Sequence, residues 1–173
     1  MTAEPTLMEL VGGLSDAVDD YVYRKGGRTD LGEIAQMGAT ETLATVLGQS
    51  TTSLFGVTPD DVRRELARLG TPANFSGVAR TFFARLTQRY LTYFLSRELS
   101  NTLEGVNANR QFREALEIHC RQASKIVEQF AKDWFSKANY EGGITPRKAA
   151  GFIGHAVTKL NAELQEGAEV GQS

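Results

Sequence analysis

The apolar residues of this chain recur at intervals of three and four, and no stretch alternates apolar with polar residues over the length of a strand. Intervals of three and four place side chains on one face of an α-helix, whereas a half-buried strand needs an interval of two. The pattern therefore predicts an all-α fold, a single-domain bundle of five or six helices. Because 173 residues suffice for one domain with its own core, we expect the bundle to span residues 1–166, followed by a polar tail at 167–173.

Capping residues predict where several helices begin. Asp30 and Glu33 have the spacing of a capping box, in which two side chains bind backbone N–H groups at the start of a helix. The helix that follows is expected to bend or divide at Gly38. Thr58 and Thr145 each precede a proline, an arrangement typical of an N-cap followed by the first helical residue. We therefore expect one helix to begin after each of these threonines.

Composition and charge exclude several classes of protein. The formal net charge is -2, which gives no overall attraction to nucleic acid or to an anionic membrane. The single cysteine, Cys120, excludes an internal disulfide framework and a multi-cysteine zinc site. No apolar run reaches the roughly 20 residues that span a bilayer, and the N-terminus lacks the basic and apolar regions of a secretion signal. We therefore expect a cytoplasmic protein that does not bind membranes.

The stretch Ala79–Ser100 combines five aromatic rings with four arginines. At about 100° per residue, its rings fall within one arc of roughly 120°, which is a single face of a helix. Rings that share one face are expected to be buried together against neighbouring helices, and buried rings cannot stack on nucleic-acid bases. The sequence therefore predicts a core face, and its largely buried residues are Phe82, Leu86, Tyr90 and Tyr93.

A second apolar stripe lies on the far side of the same predicted helix, at Leu91, Leu95 and Leu99. A helix that is apolar on two faces is either central in its bundle or part of a subunit interface. We expect these leucines to form an interface with a second copy of the chain or with a helical protein partner.

The arginines of the middle of the chain support an alternative, because charge is unevenly distributed. Residues 1–59 carry three basic and eight acidic side chains, whereas residues 60–100 carry seven arginines and four acids. Such an asymmetry is compatible with a face that binds phosphate groups. The arginines assigned to nucleic acid under this alternative are Arg63, Arg64, Arg68, Arg85 and Arg89.

Few residues remain for catalysis, and none form a recognisable constellation. His119 lies in the apolar stripe of its predicted helix, which is typical of a hydrogen-bonded core histidine. Cys120 and His119 are adjacent and point in directions about 100° apart, so they make a poor nucleophile and base pair. No metal site and no cofactor are expected. The favoured function is a non-enzymatic interaction or assembly subunit of a multiprotein complex.

The segment REALEIH, Arg113 to His119, resembles the R-x(4–6)-H signature of HEPN ribonucleases. The resemblance covers these seven residues. It implies a helical bundle that dimerises, with Arg113 binding phosphate and His119 transferring protons during RNA cleavage. Two alternatives thus stand beside the interaction subunit: a HEPN-like ribonuclease, and a small helical subunit that contacts RNA or DNA in a nucleoprotein complex of the defence type.

Overall fold

The computed structural model describes residues 7–24, 29–49, 59–99 and 106–170, and helices account for nearly all of them. The helices are α1 (Leu7–Arg24), α2 (Asp30–Gln49), α3 (Pro59–Leu69), α4 (Pro72–Leu99), α5 (Val106–Ala123), α6 (Lys125–Tyr140) and α7 (Pro146–Val170). The predicted all-α bundle is confirmed. The described ranges contain seven helical segments. Because only Ser124 separates α5 from α6, this pair can be counted as one helix, which gives six. Helix α7 extends into the segment predicted as a polar tail.

The helices belong to two compact units, Met1–Thr71 and Pro72–Ser173. In the first unit α2 packs against α1 and α3. Its buried residues include Ile34 and Leu47. The Gln36 amide donates hydrogen bonds from Nε2 to the Ser15 carbonyl, the Ser15 hydroxyl and the Asp19 carboxylate, at 3.2, 2.9 and 3.2 Å. A side-chain amide therefore joins α2 to α1 beside the apolar contacts.

The start of α2 corrects two expectations. The N-cap is Thr29, because its hydroxyl accepts a hydrogen bond from Gly32 N at 3.1 Å and its carbonyl accepts one from Glu33 N. Asp30 and Glu33 lie in the first turn, where their charges complement the helix dipole. Helix α2 is also continuous through Gly38, because a glycine costs a helix only about 1 kcal/mol, too little to divide one that is packed on both sides.

Threonine followed by proline starts helices as predicted. Thr145 accepts hydrogen bonds from Lys148 N through its hydroxyl and from Ala149 N through its carbonyl, and α7 begins at Pro146. Helix α3 begins at Pro59, although Thr58 lies outside the described residues. Helix α4 begins at Pro72, directly after Thr71, and this third threonine–proline pair was not predicted as a helix start; the Thr71 hydroxyl donates a hydrogen bond to the Arg68 carbonyl at 3.1 Å.

The core of the second unit forms where α4, α6 and α7 meet. Phe83, Val127, Phe152 and Leu160 are its larger buried residues. Four buried alanines bring the helix backbones close together: Ala79, Ala123, Ala131 and Ala156. Phe75 stacks on Phe135 with ring centroids 4.5 Å apart, which extends the core towards the start of α4. Helices α4 and α6 thus pack through small residues, and the Phe83 and Phe152 rings are buried in the same core.

Lys148 fixes the turn between α6 and α7. Its ammonium group donates hydrogen bonds to the carbonyl oxygens of Ala138, Glu141 and Gly143 at 3.3, 3.1 and 3.2 Å. The Glu141 carboxylate lies 3.5 Å away. Gly142 and Gly143 have φ of 92° and 98°, values that favour glycine. A positive charge at the carboxyl end of α6 is favourable, because several backbone carbonyls there have no helical partner.

Candidate functional site

The second half of α4 is more exposed than the sequence pattern predicts. Phe83 is 1% exposed, whereas Tyr90, Tyr93 and Phe94 are 40%, 39% and 45% exposed. The prediction that Tyr90 and Tyr93 are largely buried is therefore wrong. Phe82 and Leu86 are half-buried and pack against the core. Among the described residues, Leu86 is the last residue of α4 that packs against the core. The aromatic face of α4 therefore extends beyond the part of the helix that the core covers.

The three exposed rings form one group, which we call the α4 aromatic cluster (Tyr90, Tyr93 and Phe94). The Phe94 ring lies 4.6 Å from the Tyr90 ring and 5.0 Å from the Tyr93 ring, measured between centroids. The Tyr93–Phe94 pair is edge-to-face, an arrangement favoured by aromatic quadrupoles. Exposed tyrosine and phenylalanine side chains that support one another are common at the centre of protein interfaces.

The leucine stripe predicted as an interface adjoins the α4 aromatic cluster. Leu91 and Leu95 are both half-buried, and the side chain of Leu99 lies outside the described residues. Together with the aromatic cluster, these leucines make α4 apolar on more than one face between residues 90 and 95. The sequence 90–95, YLTYFL, contains no charged residue. This six-residue segment can therefore be buried against a partner without burying a charged side chain.

The arginines assigned to nucleic acid fall into two sets. Arg85 and Arg89 are half-buried on α4, on the helix that carries the aromatic cluster. Helix α4 contains four arginines and one acid, Glu98. Two of the assigned arginines therefore share α4 with exposed rings, whereas the sequence pattern predicted that those rings would be buried.

The other three arginines lie on α3 in the first unit, each beside an acid. Arg63, Arg64 and Arg68 form ion pairs one turn back along the helix, with Asp60, Asp61 and Glu65 at 3.9, 3.4 and 3.0 Å. Arg68 Nη1 donates hydrogen bonds to both carboxylate oxygens of Glu65, which is a buried residue. Neighbouring carboxylates weaken the attraction of this helix for phosphate, so α3 contributes less positive field than its arginine count indicates.

The HEPN-like residues both lie on α5, where Arg113 is exposed and His119 is half-buried. Six residues of helix separate them by about 120° around the axis, so one chain does not bring the two side chains together. His119 is flanked by buried residues, Cys120 next to it and Leu116 one turn earlier. Burial raises the pKa of the Cys120 thiol to about 11, because the thiolate loses hydration, and the thiol is therefore protonated at neutral pH.

A pocket of about 270 Å³ lies between α6 and α7, and sequence reasoning did not find it. Its lining residues Trp134, Phe152 and Lys148 come from two helices, and no pattern within either helix indicates that they meet. The pocket exists because α6 and α7 pair at the turn fixed by Lys148. Within the four described ranges, no group of three or more histidine, cysteine, aspartate or glutamate residues is placed to hold a metal ion.

Comparison with known proteins does not assign a function. No family model matches the chain, and no curated protein or solved structure is significantly similar to it. The described helices also include none that is long and apolar enough to cross a membrane. Function must therefore be inferred from the surfaces described above.

Proposed function

We propose that this chain is a non-enzymatic assembly subunit that self-associates through the second half of α4. The observation that carries the proposal is the exposure of the α4 aromatic cluster beside the half-buried Leu91 and Leu95. Large apolar side chains are normally withdrawn from water, and a contiguous exposed group of them marks an interaction surface. Residues 90–95 carry no charge, so a second copy of the chain can bury this segment without burying a charged side chain.

The size of the surface limits what it contributes. Complete burial of a large apolar side chain contributes about 1.5–3 kcal/mol, and the side chains of this surface are already partly covered. Association costs several kcal/mol of lost translational and rotational freedom, and stable interfaces bury about 800 Å² on each partner. The cluster and the two leucines therefore form the centre of an interface whose rim includes further residues.

We expect Leu95→Glu to abolish self-association while leaving the chain folded. A glutamate at the centre of the interface would be buried without a partner in the assembly, whereas in the single chain this half-buried position leaves its carboxylate access to water. Sedimentation velocity at several concentrations should show the wild type shifting to a larger species and Leu95→Glu staying at the smaller one. Thermal melting should be nearly unchanged.

Phe94→Ser tests the same surface without adding a charge, and Tyr140→Ser is its matched control because Tyr140 is also exposed and lies at the end of α6. Phe94→Ser should weaken association, and Tyr140→Ser should leave it unchanged. A wild type that remains monomeric at high concentration contradicts the proposal. A collapse of the melting transition in Leu95→Glu would instead show that the leucine belongs to an internal core.

A nucleic-acid contact is the second candidate function, because exposed rings and the half-buried Arg85 and Arg89 occur on one helix. Single-strand binding surfaces combine aromatic side chains that stack on bases with cations that bind phosphates. The acid beside each α3 arginine disfavours reinforcement from Arg63, Arg64 and Arg68. This candidate uses the same surface as self-association. A salt titration separates the two, because contacts to phosphates weaken steeply as the salt concentration rises.

Under the favoured proposal, we expect weak or absent binding of a fluorescently labelled single-stranded RNA by the isolated chain. Nucleic-acid binding would instead fall steeply with salt, and each lost phosphate contact would reduce the logarithmic slope by about 0.7. Fluorescence anisotropy should be compared for the wild type, Arg85→Gln with Arg89→Gln, and the control Arg63→Gln with Arg64→Gln. Nanomolar, salt-sensitive binding lost only in the first double variant would replace self-association with nucleic-acid binding as the proposed function.

A further inference from the structure

The pocket between α6 and α7 has an aromatic wall. The rings of Trp134 and Phe152 lie 4.5 Å apart between centroids, and the Phe130 ring lies 5.6 Å from Phe152. The imidazole of His155 meets the Phe130 ring edge-on at 4.7 Å. These contacts hold the rings in place before any ligand arrives, and a preformed wall lowers the entropic cost of binding. The chemistry of the wall favours a planar, apolar group.

A glycine borders the open space beside this wall. Gly151 lines the pocket, and a Cβ added to it would meet no atom within 4 Å. The volume of about 270 Å³ lies just below the roughly 300–1,000 Å³ of drug-sized ligand sites, so the pocket suits a ligand of one ring and not a nucleotide cofactor.

The rim of the pocket carries two cations and one acid. The ammonium of Lys148 contacts three backbone carbonyls and the Glu141 carboxylate. These contacts hold its charge in place at the rim. Lys137 differs, because its side chain is 76% exposed and its ammonium lies 3.9 Å from the Glu141 carboxylate, near the limit of an ion pair. An exposed ion pair at that distance is weak, so Lys137 can turn towards an anion in the pocket.

From the ring wall, the open space at Gly151 and the net positive rim, we propose that the α6–α7 pocket binds a small aromatic monocarboxylate. The ring of the ligand lies against Trp134 and Phe152, and its carboxylate faces the Lys137 ammonium. This site is separate from the α4 surface and does not depend on self-association.

Trp134 is the only tryptophan of the chain, so its indole N–H gives one signal that reports on the pocket directly. Titration of the ¹⁵N-labelled protein with benzoate should move that signal saturably at millimolar concentration. Benzyl alcohol has a similar shape without the charge, and cyclohexanecarboxylate has the charge without the aromatic ring. We expect each of these two compounds to bind at least about threefold more weakly than benzoate, since exposed ion pairs and aromatic contacts each contribute modestly.

Gly151→Leu fills the pocket and should abolish the benzoate-induced shift. Gly154→Leu is the matched control, because Gly154 also lies on α7 and has no atom within 4 Å of the position that a Cβ would take, but it does not line the pocket. Lys137→Gln should remove the preference for benzoate over benzyl alcohol, whereas Lys132→Gln, elsewhere on α6, should retain it. The proposal is wrong if benzoate gives no saturable shift, if the three compounds bind equally, or if Gly151→Leu binds benzoate as the wild type does.

Discussion

Phe83→Ala should destabilise the second unit by about 3–5 kcal/mol, the cost of removing a large buried ring and leaving a cavity. Phe83 is 1% exposed and lies at the centre of the unit, with ring contacts to Phe82 at 5.1 Å and Phe152 at 6.1 Å. Close packing of α4 against α6 through alanines leaves little room for the helices to collapse into the vacated space. Urea unfolding followed by circular dichroism measures the change, with the slope against urea unchanged.

Phe94→Ala is the matched control, because it makes the same substitution on the same helix at a ring that is 45% exposed. We expect it to cost less than about 1 kcal/mol in the single chain, since an exposed side chain has less contact to lose. Equal losses for the two variants would show that the second half of α4 is as deeply packed as the first.

Lys148→Met should destabilise the same unit by about 2–3 kcal/mol. The substitution keeps most of the aliphatic stem but removes an ammonium that binds three carbonyl oxygens and Glu141, and hydrogen bonds to charged groups are stronger than neutral ones. The carbonyls at the end of α6 are then left to water, and the glycine turn loses its only charged contact from α7 among the described residues.

Lys159→Met controls for the loss of a positive charge on α7, because Lys159 is exposed. It should change the free energy of unfolding by less than about 0.5 kcal/mol. Similar effects of the two substitutions would mean that the Lys148 contacts contribute nothing beyond surface charge. The comparison uses the same urea unfolding measurement for both variants.

The helical class could be predicted from the sequence because it depends on local spacing. Apolar intervals of three and four and the Thr145–Pro146 start are visible without knowing which helices touch. The missed start of α4 was equally local, since Thr71–Pro72 repeats the same pattern.

The exposure of the α4 aromatic cluster could not be predicted in the same way. A helical wheel shows that Tyr90 and Tyr93 share a face with Phe83, but not how far along α4 the neighbouring helices reach. The α6–α7 pocket could not be predicted for the same reason, because it depends on the pairing of two helices and on the turn that sets their register. The pattern within one helix shows which of its faces is apolar. Which neighbouring helix buries that face depends on the tertiary fold.

Alkylation of Cys120 can be used to measure how often the second unit opens. It is the only thiol in the chain, it is 1% exposed, and its raised pKa keeps it protonated near pH 8, where an unfolded cysteine already forms thiolate. A thiol-alkylating reagent therefore reacts mainly with molecules in which the end of α5 has separated from the core. When reclosing is fast compared with alkylation, the labelling rate gives the equilibrium population of that open state. When alkylation is faster, it gives the opening rate itself.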